Sequence, residues 1–276
     1  MKKLLSVLIL MFFCRSSYGQ GLKNLKINGY SSFEYELQLT EDGKSDPNGS
    51  FDADLFDLVF NFQSSDRLRI AADITWEHGS ASEENWGNVA IEYAFPEYTI
   101  NRYLKFRVGK MFVPFSIYNE IHTAKPAFLT TKEPLSTNKN HKFGSSERFY
   151  PRWGNGISFL GNFNLSKIKF DYNVQVSNGF QETTNPYEED DNTQKAIAVR
   201  LRIKPVRGLR FSLSTYSDML SEFDSNEDNT GKRTHLMSYG ATAEYENNKM
   251  GLEFEFISGF INPSSGNTIV RNAFTG

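Results

Sequence analysis

Between Ile121 and Trp153 the chain carries Lys125, Lys132, Lys139, Lys142, Arg148 and Arg152 against only two acids, Glu133 and Glu147. Folded into a narrow passage, such a run favours anions, as rings of Lys or Arg do in anion pores. On a solvated surface its charge is screened within about 8 Å at physiological salt. Both readings stay open on the residues alone. A second basic group, Arg67, Arg69, Lys105, Arg107, Lys167, Lys169, Arg200 and Arg202, with Lys204 and Arg210, lies in segments whose polar and apolar residues alternate. Arginine suits phosphate or carboxylate because its planar fork donates two hydrogen bonds at once. Asp57, Asp73, Glu77, Glu92, Asp171, Glu244, Glu246, Glu253 and Glu255 fall on the same parity. The polar side is therefore mixed in charge, and the balance of the long loop tips the expected preference toward anions.

Catalytic chemistry finds little support. A hydrolase needs a nucleophile and a base held close together. His78, His122, His141 and His235 stand in no recognisable motif, and His235 with Ser238 is the least unfavourable pair. The chain has no Gly-rich phosphate loop and no clustered metal-ligand spacing. We therefore expect no enzyme, no cofactor and no metal site. The acidic runs at 187–192 and 222–228 read as solvated loops. The formal charge of −3 offers no overall basic footprint for nucleic acid.

The elements that must position these charges are strands. Leu25, Ile27, Phe33, Tyr35, Leu37 and Leu39 alternate with Lys26, Asn28, Ser32, Glu34, Glu36 and Gln38. A strand points successive side chains to opposite faces, so the segment has one apolar and one polar side. The pattern predicts strands near 25–40, 53–64, 67–78, 86–96, 103–117, 155–165, 167–178, 194–205, 208–219, 234–247 and 250–261. Tight turns alternate with long polar loops, the mark of an antiparallel transmembrane β-barrel. The N-terminus and tight turns would be periplasmic and the long loops extracellular. Phe56, Leu58, Phe60, Phe62, Ile70 and Val176 are expected to face lipid; Asp57, Asp73, Asn173 and Gln175 are expected to face inward. A soluble sandwich with an ordinary core is the alternative, but strands of this length exceed its usual range.

Residues 1–19 read as a signal peptide: Lys2 and Lys3, an apolar stretch from Leu4 to Phe13, then small residues before Gln20. Residues 20–276 would then form the barrel, with 121–153 as a loop folding into it. Cys14 is the sole cysteine, so the exported chain would carry no disulfide. The pattern stops within a twelfth strand near Thr268–Gly276, and we expect a C-terminally truncated barrel with about 11–12 strands present.

The densest local signal is Arg107-Val108-Gly109-Lys110-Met111-Phe112-Val113-Pro114-Phe115-Ser116. It resembles the strand-end signature of the phosphate-selective porin O and P family, with Lys110 where that family usually has Gln. On their own terms, Gly109 permits a bulge that reverses the alternation and Pro114 ends ladder pairing. The resemblance implies a Gram-negative outer-membrane porin of about 16–18 strands. It implies passive diffusion of small hydrophilic solutes, a third loop narrowing the bore, and a homotrimer. Gly109, Lys110, Pro114 and Phe115 carry the match. Outer-membrane lipid, lipopolysaccharide and small anions are the expected partners. A plugged ligand-binding barrel or a surface adhesin is the alternative.

Overall fold

A computed structural model describes residues 24–36, 50–77, 89–121, 149–179, 190, 192–223 and 229–275. The signal peptide expected at 1–19 lies outside them. The fold is all-β. Twelve antiparallel strands follow chain order: β1 (Leu25–Glu36), β2 (Ser50–Gln63), β3 (Leu68–Glu77), β4 (Val89–Asn101), β5 (Leu104–Phe112) and β6 (Trp153–Leu165), then β7 (Ile168–Ser177), β8 (Ala196–Val206), β9 (Leu209–Phe223), β10 (Asn229–Glu246), β11 (Gly251–Asn262) and β12 (Ile269–Thr275). Eleven of these match the alternating segments in place, and β12 takes up the short C-terminal pattern. No helix among the described residues is long and apolar enough to cross a membrane.

Two compact units make up the chain, Met1–Ile91 and Glu92–Gly276. In the first, β1 pairs with β2 and β2 with β3 in antiparallel register. Alternation sorts the side chains as the sequence anticipates. Asp57, Asp73 and Thr75 are buried, and Thr75 Oγ1 donates to Asp57 Oδ1. Phe56 and Ile70 on the other face are exposed.

The second unit repeats this arrangement on a larger scale. Cross-strand rows carry the polar face: Arg200, Ser214, Gly240 and Ile257 form one, and Arg202, Ser212, Thr242 and Glu255 the next. The residues between them present the apolar face, where Ile197, Leu213 and Phe254 are 47 %, 57 % and 49 % exposed. Asp218 and Glu255 on the polar side are only 2 % and 1 % exposed. A water-soluble sheet would bury its apolar face, because doing so gains about 25 cal/mol per Å². This sheet does the reverse, as a lipid-facing wall must.

Several strand ends differ from the expectation, β9 running on to Phe223 and β10 starting at Asn229 among them. β4 runs past Pro96 to Asn101, since its ladder with β5 resumes at Glu97↔Arg107. β5 stops at Phe112 and not at Ile117. Gly109 does not reverse the alternation. The pairing of β5 with β6 is unbroken from Lys105↔Leu160 to Phe112↔Trp153, and Ala94↔Lys110 keeps step with Glu97↔Arg107 across the glycine. Gly109 sits at φ 127°, and a Cβ there would stand 2.4 Å from the Ala94 carbonyl oxygen. Its role is close approach in a conformation that L side chains rarely adopt. The switch in apolar parity around it has another cause, described next.

Candidate functional site: a loop root on the polar face

Beyond Phe112 the chain leaves the ladder. Pro114 has no N–H to extend it, and Ser116 takes a left-handed φ of 56°. Val113, Phe115, Phe149 and Tyr150, from the two ends of the long β5–β6 connection, pack with Tyr216, Leu220, Leu236, Ile257 and Ile261. The apolar run Met111-Val113-Phe115 thus continues the inward parity of Lys105 and Arg107 into a packed core. Phe115 stacks on Tyr150 with ring centroids 4.2 Å apart. Glycines on the wall make room: a Cβ at Gly240 would meet the Phe115 ring at 2.9 Å, and one at Gly259 the Phe149 ring at 2.6 Å.

Hydrogen bonds fix this root. Val113 N donates to Arg152 O at 3.0 Å, and Asn119 Nδ2 donates to both Val113 O and Arg152 O at 2.7 Å, clasping the two ends of the loop. Ser116 N donates to Ser214 Oγ at 3.0 Å, while Ser116 Oγ donates to Glu255 Oε2. Tyr118 OH donates to Glu253 Oε2 at 2.9 Å. Ser238 Oγ donates to the Phe149 carbonyl. The root descends along β11, meeting Ile257, then Glu255, then Glu253.

At its end, in the short 3-10 turn Asn119–Ile121, Glu120 reaches the β8 wall. Arg200 Nη2 donates to Glu120 Oε2 at 2.7 Å, and Arg200 Nη1 donates to Ser116 O at 3.3 Å. Burial opposes ionisation of Glu120, but the Arg200 charge and hydrogen bond, helped by Arg107 and Arg202, outweigh it and hold its carboxyl below the usual range. Burial, then the hydrogen bond to Glu253 and the neighbouring carboxylates, push the Tyr118 phenol well above its ordinary value, so it remains a donor.

The basic residues expected to matter fall into three groups. Lys125, Lys132, Lys139, Lys142 and Arg148 lie outside the described residues. Arg152 is buried in the root. On the sheet, Arg67 and Lys167 are exposed in the tight turns before β3 and β7, and Lys169 is exposed opposite Lys204. Arg69 donates to Asn61 Oδ1 at 3.0 Å. Lys105 and Arg107 share Glu97, at 3.5 and 2.7 Å, and Arg107 lies over the Phe95 ring. Arg200 holds Glu120, Lys204 holds Asp171, and Arg210 holds Glu244 at 2.9 Å. Of the signature residues, Lys110 lies over the Trp153 ring, whereas Pro114 and Phe115 are buried. His235 pairs with Ser217 Oγ at 2.9 Å and not with Ser238, whose hydroxyl serves the root. The other three histidines lie outside the described residues, which include no metal-binding cluster of His, Cys, Asp and Glu.

Sequence reasoning placed Glu253 and Glu255 on the inward face but did not see them as anchors, and it missed Glu120 altogether. The available signal was Ser116, Tyr118 and Glu120 alternating just past the proline, three polar groups on one side of an apolar stretch.

No family model matches the chain. An uncharacterized protein of Aquifex aeolicus (strain VF5) is 27% identical over 161 residues, 58% of this chain and 33% of that protein. The chain therefore spans about a third of the length of the curated relative it matches. Among solved structures, the anion-selective porin from Comamonas acidovorans is similar with a TM-score of 0.58 at 12% identity, covering 91% of this chain and 72% of that one. OmpT of Vibrio cholerae, an outer-membrane protein, gives 0.43 at 8% identity over 91% and 81% of the two chains. The likeness to the first shows the fold: an antiparallel transmembrane β-barrel fold of the porin kind.

Proposed function

We propose that the protein is an outer-membrane porin, a passive diffusion channel for small hydrophilic solutes with a preference for anions. The observation that carries this reading is the root of the long loop packed on the polar face of a sheet whose apolar face is exposed. In this reading the rest of the loop narrows the solute path, and the charges lining that path bias which ions enter. The resemblance of 107–116 to the phosphate-selective porin O and P family supports the same class. The Comamonas acidovorans porin of similar fold is itself anion-selective. Export by the 1–19 leader, contact with lipopolysaccharide and assembly as a homotrimer belong to this reading. Proteoliposomes loaded with a large polymer test it. They are expected to swell in small sugars and in salts of small anions, faster than protein-free vesicles. Equal rates would favour a plugged barrel that binds partners at its surface, a reading to which the apolar core at the loop root lends some weight.

A further inference from the structure

Glu120 occupies a place that another carboxylate could take. Arg200 from β8 holds Glu120, and the charges of Arg107 from β5 and Arg202 from β8 also act on it. Arg200 and Arg202 stand two residues apart on one face, roughly 7 Å along the strand. Two guanidinium groups so close repel one another unless an anion lies between or beside them. Arg107 already has Glu97 at 2.7 Å, and Arg200 has Glu120 at 2.7 Å. Arg202 lacks a comparable partner: its Nε is buried without a hydrogen bond among the described residues. Asp171 and Glu244 are the wall acids nearest it in effect. Asp171 is engaged by Lys204 and Glu244 by Arg210. Neither Arg200 nor Arg202 is ion-paired to a carboxylate of the wall among the described residues. The loop supplies Arg200 with one carboxylate, partly exposed, from the middle of a short turn.

We propose that Arg107, Arg200 and Arg202 form a binding site for small carboxylate solutes, and that Glu120 is its tethered internal occupant. A solute carboxylate entering the site displaces Glu120 from Arg200 and engages Arg202, so the resident acid sets how tightly such solutes are held. This rests on the polar face being the solute path. The planar fork of arginine matches a carboxylate in two-point contact, which a halide cannot reproduce. The site therefore discriminates by shape as well as by charge.

Calorimetric titration of benzoate into the detergent-purified protein tests the site without requiring current. Glu120→Gln is expected to tighten benzoate binding about tenfold, as expected when one charge-assisted competitor is removed. Adding Arg202→Gln in that background is expected to abolish the gain. Chloride should not reproduce the binding at equal ionic strength. Tyr118→Phe, which loosens the root without touching the arginines, separates unmasking from loosening. If it tightens benzoate as much as Glu120→Gln does, or if Glu120→Gln leaves the affinity unchanged, the proposal is overturned. Benzoate binding that follows the expected order in a protein passing no solute would instead keep the site and remove the channel reading.

Discussion

Ser116 and Glu255 join the loop root to the wall. Glu255 is 1 % exposed, and Ser116 Oγ and Ile117 N, the latter 3.4 Å away, are among the donors to its carboxylate. Leaving a buried acceptor short of a donor costs about 1–3 kcal/mol, more when it is charged. Ser116→Ala is expected to destabilise the root by that order, read as a lower urea midpoint for loss of native gel mobility. The Arg200–Glu120 link answers to pH instead. The folded-state carboxyl of Glu120 lies below its ordinary value of 4.5. Its contribution is therefore complete above that pH and is lost as pH falls through the depressed folded value. Loop-root opening, followed by hydrogen exchange at 113–121, should stay flat above pH 5 and rise only in acid well below the usual carboxylate range. Glu120→Gln should remove that acid step.

Strands set where these residues stand, and their two faces make opposite demands. Leu213 is 57 % exposed on the apolar face, next to Ser214, which receives the loop root. A lysine near the middle of a lipid-facing strand costs about 2–4 kcal/mol in barrels. Leu213→Lys should therefore lower stability in lipid by that order. The same change would be nearly neutral if the face were simply wet. Refolding yield into vesicles over a urea series measures the difference. Gly259→Ala acts on the opposite face. The added methyl would overlap the Phe149 ring, so the ring and the adjoining loop end must shift. We expect a larger or noisier pore with little loss of the sheet itself, because the β10–β11 ladder does not depend on that ring. Unchanged pore size would mean that the root has no part in setting it.

On the scale of the whole molecule, the architecture was legible because a strand has a period of 2 and repeats it. Leu25–Leu39, Phe56–Phe62 and Ile168–Val176 each declare their two faces without reference to any other segment. The loop root was not legible in this way. Met111, Val113 and Phe115 look in sequence like lipid-facing residues after a bulge, since an apolar side chain carries no label for lipid or core. Only the register of β5 with β6 shows that parity never switched. The anchoring of Ser116 by Glu255 spans 139 residues, a separation that no local pattern encodes. Glu120 escaped notice for the same reason: its meaning comes from Arg200, which lies 80 residues away. On the porin reading, this inside-out sheet with its inward-rooted loop conducts. Single-channel current across a planar lipid bilayer tests that most directly, with a KCl gradient to read the reversal potential. We predict stable unitary steps whose reversal favours chloride. Steps favouring potassium would contradict the anion preference, and a silent bilayer at protein densities where known porins insert would contradict the channel itself.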